Sequence, residues 1–118
     1  MDAFESLEVW KRSARLCVGL YRTLSKCREY GFRDQITRAA LSVPSNIAEG
    51  YERDSLAEFA RFLKIAKGSC GELRTQLYIG IEIGVLKKTE AKAFVNEAVE
   101  ISRMLHGLIS SINQAKGP

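Results

Sequence analysis

Residues 42–53 read Ser42-Val43-Pro44-Ser45-Asn46-Ile47-Ala48-Glu49-Gly50-Tyr51-Glu52-Arg53. A proline inside a helix removes one backbone hydrogen bond and crowds the carbonyl four residues back, at about 3 kcal/mol. The apolar rhythm nevertheless runs through it without a change of phase. Ile36, Ala40, Val43, Ile47 and Tyr51 stay on one side. A chain break would reset that phase, so the pattern predicts one helix from Phe32 to Glu52, kinked at Pro44, with Ser42 or Ser45 near the freed Ala40 carbonyl. The opposite side collects Gln35, Arg38, Ser42, Asn46, Glu49 and Arg53.

Outward from this helix the chain repeats the same kind of pattern. A first helix over 5–29 carries Leu7, Trp10, Ala14, Cys17, Tyr21 and Leu24 at spacings of three and four. Val9, Leu16 and Leu20 widen its apolar arc to about half the circumference, more than one bundle seam needs. Trp10, Tyr21 and Leu24 are expected to face the core, with Val9, Leu16 and Leu20 on the flank. Gly31 is expected as a left-handed cap behind it. Ser55 with Glu58 forms a capping box for a third helix that reaches Ile83 and stops at Gly84. Thr89 is expected to cap a fourth, with Ala91, Phe94, Ala98, Ile101, Leu105, Leu108 and Ile112 inward. The last four residues are expected to fray. Four amphipathic helices with short loops predict an all-α, antiparallel up-down-up-down four-helix bundle, one domain over 1–118.

Composition agrees with a globular protein: 46% apolar, 27% charged, formal charge +4. No apolar run approaches the roughly 20 residues of a membrane span. The opening Met-Asp-Ala-Phe-Glu is unlike a secretory signal, so a cytoplasmic, membrane-free protein is expected. Cys17, Cys27 and Cys70 have no CxxC spacing, and the first and last fall on apolar helix positions.

A combination of residues then narrows the field. It comprises Trp10; Tyr30-Gly31-Phe32 with Gln35 and Arg38-Ala39-Ala40; Ser42 through Gly50; Phe62-Leu63; Ala66-Lys67-Gly68-Ser69; Glu72-Leu73 and Gln76-Leu77. This resembles the four-helix-bundle family of 23S ribosomal RNA intervening-sequence proteins, over nearly the whole chain. That family is similar in turn to the accessory variability determinants of diversity-generating retroelements, basic bundles that bind nucleic acid and a reverse transcriptase. The resemblance implies a homo-oligomer, with a pentameric ring the leading count.

Candidate sites divide between charge and assembly. Six basic residues and no acidic one lie between Val9 and Arg28. Lys11, Arg15, Arg22 and Lys26 fall within about 60° of arc on an ideal helix, a stripe for phosphates or a solvated face. Arg38, Asn46, Glu49 and Arg53 are expected at a subunit contact, together with Leu16 and Leu20. Gly68 and Gly71 lack a P-loop ending and are expected to let helices approach closely. His106, the single histidine, has no second ligand motif, so no metal and no cofactor are expected. No catalytic constellation can be assembled. The expected function is therefore non-enzymatic: an oligomer binding structured nucleic acid, RNA first, with an adaptor for a protein partner as the alternative.

Overall fold

The computed structural model describes residues 3–115. A 3-10 turn at Phe4–Ser6 precedes four helices: α1 (Glu8–Thr23), α2 (Tyr30–Tyr51), α3 (Leu56–Glu82) and α4 (Lys88–Ala115). Each helix packs on its neighbours in the chain, and α1 closes the ring against α4. This is the antiparallel order that short connections dictate. The bundle measures 48 × 23 × 21 Å.

α2 runs through Pro44 without interruption, and Ile36, Ala40, Val43 and Ile47 are all buried. The phase that predicted one helix holds to its end, where Tyr51 packs edge-on against Phe59 of α3. Neither serine makes the expected bond to Ala40. The Ser42 hydroxyl lies 2.9 Å from Ser69 Oγ on α3 and accepts from Asn46 Nδ2, which also donates to the Ser42 carbonyl. Ser45 is exposed. Ser42, on the "polar side" of α2, thus serves contact with α3 and is braced there by Asn46.

α1 departs most from its predicted form. It ends at Thr23, where Leu24 turns inward, 2% exposed, and its N–H bonds back to Leu20. Its two apolar edges are exchanged in part, for Leu24 and Cys17 are buried as expected. Val9, Leu16 and Leu20 are core residues, while Trp10 is half-buried and Val18 and Tyr21 are exposed. The reason is geometric. α1 touches both α2 and α4, so the centre of its wide arc points between them and one edge is left over.

The caps follow the same mixture. Ser55 Oγ accepts from Glu58 N–H as the capping box predicts, and Gly84 closes α3 with φ +77°. Gly31, by contrast, sits in the first turn of α2, and among the described residues Gly84 alone has positive φ. Thr89 lies inside the first turn of α4, which starts at Lys88. Gly68 and Gly71 are exposed with open space around them, so they bring no helices together. Close approach occurs at Gly50 and Gly80 instead. A Cβ on Gly50 would lie 2.6 Å from Phe62 Cβ, and one on Gly80 would lie 2.7 Å from Leu86 Cδ1. Of the tail expected to fray, residues 116–118 lie outside the described part.

Candidate nucleic-acid interface

Lys11, Arg15 and Arg22 of the predicted stripe lie together on α1, and Lys26 leaves their face because the helix stops at Thr23. Lys11 and Arg15 remain on the body of α1, with Lys11 Nζ 3.7 Å from Glu8. Arg22 is in the last turn, and Lys26 lies beyond the helix in the connection to α2. The structure regroups the second pair with cations from elsewhere.

The packing around Gly80 explains where. A Cβ there would meet both Leu86 and Phe32, and one on Gly19 would meet Phe94. The end of α1, the start of α2, the end of α3 and the start of α4 therefore share one end of the bundle. Segments 22–38 and 74–92 lie at this end. They carry Arg22, Lys26, Arg28, Arg33, Arg38, Arg74, Lys87, Lys88 and Lys92 against Glu29, Asp34, Glu82 and Glu90. The rest of the described residues have slightly more acidic than basic side chains. Ion pairs follow that division. Lys11–Glu8, Arg12–Glu97, Arg53–Glu49, Arg61–Glu58 and Arg103–Glu100 all lie in the balanced remainder. The basic end has the weak neighbour pair Arg33–Asp34 at 3.5 Å.

Two clefts open at or beside the basic end. One, about 430 Å³, lies between the end of α1 and the start of α2, with Tyr21, Ser25, Arg33, Asp34, Arg38 and Leu41 on its walls. The other, about 470 Å³, lies between α3 and α4, with Tyr78, Glu82, Lys88 and Lys92. Each combines an exposed tyrosine with two cations.

One basic residue of α1 has a structural task. Arg12 Nε and Nη2 donate to the two carboxylate oxygens of Glu97 on α4, at 2.9 and 2.7 Å. This bond holds the Glu97 carboxyl below its ordinary pKa and raises that of Arg12, while partial burial opposes both shifts. Nothing local in the sequence announces it, because the partner is 85 residues away.

The residues expected at a subunit contact separate too. Leu16 and Leu20 are in the core of the single chain and are not available to another. Asn46 is tied to Ser42 beside α3. Glu49 and Arg53 pair with each other at 3.0 Å, and Arg53 also lies over Phe62. Arg38 joins none of them and faces the α1–α2 cleft. What α1 and α2 do leave uncovered is an apolar groove of about 350 Å³, lined by Trp10, Ala14, Val18, Leu41, Pro44 and Ala48. Phe4 packs edge-on against Trp10 at its rim.

Comparison with known families matches residues 5–107 to the 23S rRNA-intervening sequence protein model. The chain belongs to the 23S rRNA-intervening sequence protein family. A crystal structure of a protein of unknown function from the S23 ribosomal protein family of Bacteroides thetaiotaomicron has the same fold. It is 26% identical, with a TM-score of 0.80, over 86% of this chain and 97% of that one. No curated protein matches the chain. In this family member, no three His, Cys, Asp or Glu side chains among the described residues come together as a metal site. Its His106 is exposed on α4 beside Lys64 and Lys67. Cys70 is buried between helices, its thiol pushed up to about 12 by burial, which leaves it a packing group. Among the described residues no helix is long and apolar enough to cross a membrane.

Proposed function

We propose that this intervening-sequence family member is a non-enzymatic, homo-oligomeric bundle that binds structured RNA through its basic end. The observation that carries this reading is the group of cations left without an ion pair there among the described residues: Arg22, Lys26, Arg28, Arg38, Arg74, Lys87, Lys88 and Lys92. Clustering them costs stability through mutual repulsion. The helix ends add to it in part: α2 has no acidic residue in its first turn beyond the Glu29 N-cap, and α4 begins with Lys88 at the positive end of its dipole, with Glu90 in the same turn. An anionic partner offsets both costs. Phosphate contacts of this kind supply affinity with little sequence readout. The family's tie to 23S rRNA insertions favours RNA over DNA.

Self-association is supported by the groove along Trp10, Val18 and Leu41. Val18 and Leu41 are 47% and 49% exposed, side by side on neighbouring helices. A second copy is the proposed cover, and a five-membered ring is the count the family resemblance implies. The same groove favours the second reading, an adaptor whose apolar face takes a different protein.

Pull-down from native cells, with and without ribonuclease, separates the two. Recovery of RNA that falls steeply with salt is the expected result, with a log–log slope of about −0.7 to −0.9 per neutralised phosphate. A protein partner retained after nuclease, with no RNA bound by the purified chain, would overturn the RNA reading. Light scattering at micromolar protein tests assembly, and a stable monomer would refute it.

A further inference from the structure

The cleft between α1 and α2 is floored by buried Leu24 and Thr37, and the polar side chains on its walls are arranged. Arg33 Cζ lies 4.9 Å over the Tyr30 ring, and its Nε is 3.5 Å from Asp34 Oδ1. These contacts hold the guanidinium plane and leave its Nη fork without a hydrogen-bond partner. Arg38 has no ion pair, and the Ser25 hydroxyl has no partner. Tyr21, 49% exposed, supplies an aromatic face from α1. Asp34 is the single acid in the cleft and is turned to Arg33.

A forked guanidinium, a second arginine and a hydroxyl are donors for a tetrahedral oxyanion. A half-exposed tyrosine is a platform for a flat ring, worth about 5-fold or more in affinity when a base stacks on it. About 430 Å³ is within the usual range for a small ligand. We propose that this cleft holds one backbone phosphate of the bound RNA together with the unpaired base beside it, stacked on Tyr21. The inference rests on the RNA reading and deepens it. A base inside a duplex cannot offer its face, so the cleft makes the protein prefer loops and single-stranded ends. A free nucleoside monophosphate has the same chemistry, and the experiment separates the two.

Fluorescence anisotropy would compare a labelled RNA hairpin carrying an unpaired loop with a blunt duplex of the same length. Wild type should bind the hairpin more tightly. Tyr21→Ala should lose about 5-fold or more on the hairpin and nothing on the duplex, while Tyr21→Phe binds as wild type. Arg33→Ala with Arg38→Ala should weaken hairpin binding and flatten its salt slope by about 0.7. These side chains are outside the core, and circular dichroism with light scattering checks fold and assembly. Hairpin binding unaffected by all of these changes would overturn the cleft and leave the RNA reading intact. Equal losses on hairpin and duplex would remove the stacked base. Failure of wild type to bind either RNA would overturn both proposals. Displacement of the hairpin by micromolar adenosine monophosphate would assign the cleft to a free nucleotide and overturn the RNA assignment.

Discussion

Three cases illustrate how a single position acts through its surroundings. Pro44 is buried at the floor of the apolar groove. Pro44→Ala restores the bond to Ala40 and relieves crowding, about 3 kcal/mol in an ordinary helix, against about 1–2 kcal/mol of lost ring burial. The single bundle should therefore gain stability in urea while self-association weakens, because the groove floor is altered. Glycines separate by environment. Gly50→Ala places a Cβ 2.6 Å from Phe62 Cβ, an atom that cannot swing away, and should cost about 1–3 kcal/mol. Gly68→Ala and Gly71→Ala meet nothing and should each gain up to about 1 kcal/mol. Equilibrium unfolding of the three variants checks the contrast. Glu97 is the third case. Its carboxyl is held low by Arg12, so its contribution is present above its unfolded pKa and disappears as pH falls through the lower folded value. Glu97→Gln should cost about 1 kcal/mol at pH 7. The gap to wild type should close once the pH is below the ordinary carboxylate range, as urea titrations at several pH values would read.

At the scale of helices, α1 is the one to probe, because it has a core edge and an uncovered edge. Leu20 is fully buried and Val18 is 47% exposed, two residues apart. Leu20→Glu should abolish the helical signal in circular dichroism, since an unpaired charge enters the core. Val18→Glu with Leu41→Glu should leave helicity intact and shift the mass in light scattering to a monomer. An unchanged mass would remove the groove from the assembly. α3 begins more simply. Ser55→Ala removes the acceptor for Glu58 N–H and should cost about 1 kcal/mol in unfolding free energy.

The whole molecule is electrically lopsided along its long axis, and this directs where RNA should bind. Reversing Arg22 and Lys26 to Glu should reduce RNA affinity much more than the same change at Lys11 and Arg15, although all four were expected on one stripe. The first pair joins Lys87, Lys88 and Lys92 at the basic end; the second lies beside Glu8 and Glu97. Filter binding at two salt concentrations compares them at equal change of net charge. Equal losses would show that total charge, and not its placement, governs binding.

The sequence by itself determined the four helices, the phase of α2 across Pro44, the Ser55 cap and the Gly84 stop. Each of these rests on interactions within about four residues along the chain. Periodicity reports them directly, and so does the family signature around Pro44. Tertiary structure decided which edge of α1 is buried, because that depends on the directions of both α2 and α4. It decided that Arg12 is a clamp, that Gly50 and Gly80 are close approaches, and that Lys26 leaves the helical face of Lys11, Arg15 and Arg22. It also brought Tyr21 opposite Arg33 and Arg38. Those outcomes depend on where a helix ends and what lies across from it, and a pattern with a period of 3.6 carries neither.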